Sequence, residues 1–372
     1  MRKRIQKSAI SAILVMALLL QVAPWVSAAD DPVVTTESTA PVQTQSTEAA
    51  VPAETTTQTT PPTELPAESE PTEPESSEMA FRIAEPTSAV YQICESLMRE
   101  SEARHLFVYD TGTDTLLYSK SVGNGKLFPA SITKLFSAYV ALQHLDPDMI
   151  VTAGDELDLV HEGSSLAWIA KGCQLRVKTL VEGMMLPSGN DAAMILAAAA
   201  GRVIAQDDTL PATMAVDVFV DEMNRQAEIL GFEQSHFSNP DGWHVGSHYT
   251  CINDLARISK LALENDTVRR YMRLAEDETT FYSGHYVFWE NTNLLLHRDE
   301  GFYRSDAIGM KTGYTKPAGY SLMSAFSFDD GEIVIGLFGY TSKNNRFLDA
   351  IALVKAVKEQ LRLEQASDES VG

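Results

Sequence analysis

The chain has 372 residues, 44% of them hydrophobic, and its 51 acidic against 29 basic residues give a formal net charge of −22 at pH 7. That balance disfavours a polyanionic partner such as nucleic acid and reads as solubility. Cys94, Cys173 and Cys251 are too few and too far apart for a disulfide framework or a Cys-x-x-Cys metal site. Three buried thiols are expected, with one disulfide and a spare thiol the alternative outside the cytoplasm.

The first element is a leader. Arg2, Lys3, Arg4 and Lys7 form a basic start, residues 8–29 carry no charge, residues 12–20 are an apolar run, and Val26-Ser27-Ala28 supplies a small-x-small cleavage pattern. Residues 1–29 are expected to be a Sec-type signal peptide or, if uncut, a membrane anchor. Residues 30–79 hold eight Pro, eleven acidic residues and no Lys, Arg or aromatic residue. Such a segment buries too little apolar surface to offset its ordering entropy, so a disordered, extended linker is expected. Residues 80–363 have the composition and length of one large globular domain, and 364–372 read as a polar tail.

Within the core, His105-Leu106-Phe107-Val108-Tyr109 and Thr115-Leu116-Leu117-Tyr118-Ser119 read as strands joined by the turn Asp110-Thr111-Gly112-Thr113. Pro129 precedes Ile132, Leu135, Phe136, Tyr139 and Val140 at helical spacing. Ser131 is thereby placed at a helix start, with Lys134 one turn on. Residues 192–203 and 214–230 read as two more helices. Residues 320–328 and 332–340 flank Asp329-Asp330-Gly331 as a second hairpin, and residues 346–361 close as a helix. This order predicts an α+β domain: a mixed antiparallel sheet flanked by helices, with an all-helical lobe in the middle.

Three motifs follow one another: Ser131-Ile132-Thr133-Lys134, Ser188-Gly189-Asn190 and Lys311-Thr312-Gly313. Singly, each has a bland reading as a helix cap, a turn or a strand end. The ordered triple is the signature of serine enzymes that bind penicillin and cleave D-alanyl peptides. The chemistry fits. A serine hydroxyl needs a base to take its proton. Lys134 serves only if its amine is neutral near pH 7, which burial and a second cation favour, and Lys311 is the candidate cation. Ser188 can relay a proton to the departing amine, and Asn190 can hold a substrate amide. Lys311 and Thr312 can bind a carboxylate. Gly313 lets the strand approach the substrate, and helix N-terminal amides near Ser131 can stabilise an oxyanion. This chemistry calls for no metal and no organic cofactor.

The segments around these motifs carry a resemblance. They are Leu127-Phe128-Pro129-Ala130-Ser131-Ile132-Thr133-Lys134; Leu186-Pro187-Ser188-Gly189-Asn190-Asp191-Ala192-Ala193; Phe237-Ser238-Asn239-Pro240-Asp241-Gly242 with His248-Tyr249-Thr250; and Asn291-Thr292-Asn293-Leu294-Leu295 ahead of Gly309-Met310-Lys311-Thr312-Gly313-Tyr314-Thr315 and Ala318-Gly319-Tyr320. Residues 80–363 resemble the low-molecular-mass penicillin-binding proteins that act as serine-type D-alanyl-D-alanine carboxypeptidases. The resemblance implies a β-lactamase/DD-peptidase-like fold and a peptidoglycan pentapeptide substrate. It implies acylation of Ser131 by the penultimate D-alanine, release of the last D-alanine, and hydrolysis by water. It implies β-lactam antibiotics as acylating inhibitors and the Tyr314 backbone N–H as the second oxyanion donor. An extracytoplasmic, wall-associated protein is expected, meeting a membrane only through an uncut leader.

Two departures qualify this. The C-terminal β-rich domain and amphipathic helix of many family members are expected to be absent, and Trp243, Cys251 and Ile252 stand where Leu, Ser or Thr, and Ala are expected. Four other readings remain open. A class A-like β-lactamase has a Glu-x-x-Leu-Asn loop, which is missing between Asn190 and Lys311, so slow penicillin hydrolysis is expected. A DD-endopeptidase uses the same machinery on cross-links. A non-catalytic penicillin-sensing or wall-binding module would lack a motif residue. A metal site at His244 and His248 is the weakest, because Gly246-Ser247 lie between them in a loop.

Overall fold

The computed structural model describes residues 81–329 and 331–371. The expected leader, the acidic linker and Asp330 of the second hairpin turn lie outside the described residues. Strand β1 (Arg82–Ile83) leads to α1 (Ala89–Leu97), capped by Ser88 Oγ, which accepts the Tyr91 N–H. The first hairpin is β2 (His105–Asp110) and β3 (Thr115–Ser121); Asp110 Oδ1 holds its turn by accepting the Gly112 N–H at 2.9 Å. A 3₁₀ turn over Ala130–Ile132 then runs into α2 (Thr133–Ala141).

The middle of the chain is mostly helical. After β4 (Ile150–Thr152) and β5 (Gln174–Arg176) come α3 (Val177–Met185), α4 (Asn190–Ala205), α5 (Ala212–Ile229), α6 (Ile252–Glu264) and α7 (Asp266–Met272). Strands β6 (Glu276–Thr280) and β7 (Tyr286–Glu290) pair as a ribbon, as do β4 and β5, so the helical lobe carries two short antiparallel ribbons. The chain then returns to the main sheet with β8 (Ala307–Thr315), β9 (Gly319–Phe328) and β10 (Gly331–Tyr340), and ends in α8 (Asn345–Val371). That helix runs well past Leu361, where its apolar spacing stops, and takes in the polar stretch from residue 364.

The main sheet has the order β1-β3-β2-β10-β9-β8, with β1 parallel to β3 and the other neighbours antiparallel. Alternation along the strands feeds two cores. Leu106, Val108, Ile333 and Ile335 pack with Val90, Cys94, Leu353 and Val357 of α1 and α8. On the other face Phe107, Tyr109, Met323, Ala325 and Val334 join the core of the helical lobe, which includes Phe136, Leu180 and Ile195. Burial on both faces explains the unbroken apolar run Ile333-Val334-Ile335. Cys94, Cys173 and Cys251 are buried free thiols, and burial pushes those of Cys94 and Cys251 up to about 12. Cys251 also has a local role. Its Sγ accepts the Asp254 N–H at 3.5 Å and so caps α6, where a serine or threonine hydroxyl is usual.

Candidate active site

The three motifs meet where the helical lobe faces the edge strand β8. Ser131 lies in the 3₁₀ turn, just ahead of the α-helix that begins at Thr133, and Lys134 follows in the first turn of that helix. Lys134 is fully buried. Its Nζ donates to Ser131 Oγ at 3.0 Å, to Asn190 Oδ1 at 2.7 Å and to the Asp241 carbonyl at 2.8 Å. Burial lowers its pKa to about 8, against the pull of the Asp241 and Asp191 carboxylates. Burial is the leading cause at Lys134, and the mutual repulsion of the two amines shows at Lys311, held well below the usual lysine range by burial and by the charges of Lys134 and Arg346. Lys311 Nζ donates to the Thr312 carbonyl at 3.1 Å.

The backbone ahead of Ser131 is strained. Ala130 has φ +49° and is buried. A hydrogen-bonded chain holds it. His248 Nδ1 accepts the Ser238 N–H at 3.1 Å, so Nε2 carries the proton and donates to Thr133 Oγ1 at 2.8 Å. Thr133 in turn donates to the Ala130 carbonyl at 2.8 Å. Burial drives the His248 pKa down to about 3, which keeps the ring neutral. Gly242, at φ +84°, passes so close that a Cβ there would sit 1.8 Å from the Ala130 oxygen. The same holds more mildly for Gly313, where a Cβ would meet the Pro129 oxygen at 3.0 Å. Gly313 thus lets β8 pass against the turn that carries Ser131.

Ser188 has φ +64° between α3 and α4 and lines the cleft. Asn190 opens α4; its Nδ2 donates to Ser164 Oγ at 3.0 Å and its N–H to the Ser165 carbonyl at 2.8 Å. Asp191 accepts the N–H groups of Ala167, Ile169 and Ala192 at 2.7, 3.0 and 2.9 Å, which pins the loop behind Ser164. From the sheet side come Lys311, Thr312, Gly313 and Tyr314, all on β8, with Thr312 Oγ1 2.6 Å from Thr292 Oγ1. Ser131, Ser188, Asn190, Thr312, Gly313 and Tyr314 surround one cavity of about 630 Å³, with Lys134 and Lys311 buried behind it.

Three further residues shape the site. Arg346, at the start of α8, reaches in as a buried guanidinium: Nη1 donates to the carbonyls of Gly313 at 3.3 Å and Ser321 at 3.0 Å, Nε has no hydrogen-bond partner, and burial lowers its pKa to about 10. Asp241 supplies the carbonyl that holds Lys134, and Trp243 lines the cleft while stacking on His161 with centroids 4.6 Å apart. Among the described residues, no group of three or more His, Cys, Asp or Glu side chains could hold a metal, and His248 is committed to Thr133 and Ser238.

A family model for the D-alanyl-D-alanine carboxypeptidases, Peptidase_S11, matches residues 92–338. The D-alanyl-D-alanine carboxypeptidase DacF of Bacillus subtilis is 27% identical over 66% of this chain and 59% of its own length. A D-alanyl-D-alanine carboxypeptidase of Streptomyces sp. strain K15 is 31% identical over 62% of this chain and 78% of its own length. DacA of Escherichia coli K12 is 30% identical over 57% and 50%. The chain therefore spans about half to three-fifths of two of these relatives. The crystal structure of the Streptomyces K15 DD-transpeptidase superposes with a TM-score of 0.60 at 31% identity, over 69% of this chain and 97% of that one.

Proposed function

The chain belongs to the Peptidase_S11 family of D-alanyl-D-alanine carboxypeptidases, and from that premise we propose that it removes the terminal D-alanine from peptidoglycan stem peptides through an acyl-enzyme on Ser131. The observation that carries this reading is the buried Lys134 amine 3.0 Å from Ser131 Oγ with a pKa of about 8. In its neutral form Lys134 takes the hydroxyl proton as Ser131 attacks the penultimate D-alanyl carbonyl. The oxyanion rests on the N–H of Ser131 in the 3₁₀ turn and on that of Tyr314 on β8. Ser188 passes a proton to the leaving D-alanine amine, and Asn190 holds the acyl-side amide. Lys311, Thr312 and Arg346 read the terminal carboxylate, which favours the charged form of Lys311. Water then releases the shortened peptide.

In this proposal β-lactams acylate the same serine and leave slowly. The protein works outside the cytoplasm, at the wall; no helix among the described residues is long and apolar enough to cross a membrane. The test is incubation with diacetyl-Lys-D-Ala-D-Ala. D-Alanine release is expected, and amidation of the terminal carboxylate is expected to lower kcat/KM at least tenfold, about the worth of one charge-assisted contact. Equal cleavage of free and amidated peptides rejects the carboxylate reading, and absence of D-alanine release rejects the carboxypeptidase.

A further inference from the structure

We propose that His248, acting through Thr133, is a positioning residue that aims the Ser131 N–H at the developing oxyanion. The inference rests on the acyl-enzyme reading of Ser131 and adds to it the group that orients one of the two oxyanion donors. The peptide bond between Ala130 and Ser131 is the link. A trans peptide is planar, with its carbonyl and its N–H pointing to opposite sides, so whatever fixes the Ala130 oxygen also fixes the direction of the Ser131 N–H. Among the described residues that N–H makes no backbone hydrogen bond, whereas the Ala130 oxygen accepts both the Thr133 N–H and, at 2.8 Å, the Thr133 hydroxyl. Ala130 itself sits at φ +49°, a conformation that persists in a residue with a side chain only where its surroundings hold it.

One loop supplies the holders. His248 Nε2 donates to Thr133 Oγ1, which leaves the Thr133 proton for the Ala130 oxygen. Each donor in such a row polarises the next, so the relay also makes the Ser131 N–H a stronger donor. Gly242 passes so close that a Cβ there would sit 1.8 Å from the Ala130 oxygen and 3.0 Å from the Ser131 nitrogen, which leaves the peptide little room to turn. Between them in sequence and space, the Asp241 carbonyl accepts Lys134 Nζ at 2.8 Å, and Ser137 Oγ pins the loop to α2 by donating to the Pro240 carbonyl at 2.7 Å. The loop thus sets the base and the oxyanion donor together. Packing alone does not account for the histidine. Its buried ring lies edge-on to Phe237, where a phenyl ring fills space without two nitrogens to satisfy. Both nitrogens are instead committed: Nδ1 accepts the Ser238 N–H, and the remaining proton faces Thr133.

The experiment compares the wild type with Thr133→Val, Thr133→Ser and His248→Phe. It reads the rate of acylation by a penicillin and the infrared stretch of the penicilloyl ester carbonyl on Ser131, which falls as oxyanion donors tighten on that oxygen. Thr133→Val and His248→Phe are expected to slow acylation by about ten- to a hundredfold, less than deleting a donor outright, and to raise the ester stretch. Thr133→Ser keeps the hydroxyl and is expected to restore both. His248→Phe added to Thr133→Val is expected to cost no more than Thr133→Val alone, since the two act in one chain. Thr133→Val keeps the shape of the side chain and decides the outcome if the buried His248 does not tolerate exchange. Slower acylation with an unchanged stretch shows a packing role and overturns the relay, as does acylation by Thr133→Val within about twofold of the wild type. Either result leaves the carboxypeptidase standing, whereas a wild type that takes up no penicillin and releases no D-alanine overturns both.

Discussion

At the scale of residues, the site is a problem of three buried cations with few counter-charges. Lys134, Lys311 and Arg346 are all buried, and burial is the first cause of depression in each. The neutral form of Lys134 is thereby brought within reach of neutral pH, and the substrate's carboxylate offsets the repulsion among the three cations. The sign of the pH dependence follows. Lys134 is active when neutral, so kcat/KM is expected to rise about tenfold per pH unit below its pKa of about 8 and to level off above it. Stopped-flow acylation across pH 6–9.5 measures this. Lys134→Arg is expected to lose acylation by at least about a thousandfold, because a guanidinium keeps its proton; near-wild-type acylation removes Lys134 from the role of base.

At the scale of elements, what was legible in the sequence is what lies close along the chain. Ser131 and Lys134 share one turn, and Ser188 and Asn190 share another, so spacing alone brought them into view. The hairpins β2–β3 and β9–β10 declared themselves through alternation and turn residues. Strand β6 did not, because Glu276-Asp277-Glu278-Thr279-Thr280 offers no apolar face, and its register with β7 is a tertiary fact. Helix α6 hides its start behind a cysteine cap. Arg346 is far in sequence from the Gly313 carbonyl it holds, yet it left one sign: a cation in a first helical turn opposes the helix dipole.

Helix α3 carries a prediction of its own. Glu182 is buried, and burial together with Asp277 raises its pKa to about 8. A raised carboxyl pKa means that its contribution to stability is complete below the unfolded value near 4.5 and is lost as pH rises through about 8. The wild-type Tm is therefore expected to fall between pH 5 and 8.5 relative to Glu182→Gln, measured by calorimetry. Parallel curves for the two proteins rule out a titrating Glu182.

At the scale of the molecule, the main sheet separates two cores with different duties. One is built from the sheet with α1 and α8, and Leu353 is fully buried in it; the other extends into the helical lobe that carries Ser131, Lys134 and Asn190. Truncating Leu353, fully buried in the α8 core, is expected to cost about 2–5 kcal/mol of stability while penicillin acylation at 25 °C stays within about twofold. Denaturant unfolding and acylation kinetics on Leu353→Ala test that separation, and a parallel loss of acylation shows the cores to be coupled. The central claim, that Ser131 is the nucleophile, is tested most directly by intact mass spectrometry with peptide mapping after incubation with a penicillin. The wild type is expected to gain one penicillin mass, located on Ser131, and Ser131→Ala to gain none; an adduct on another residue, or on the alanine variant, contradicts it.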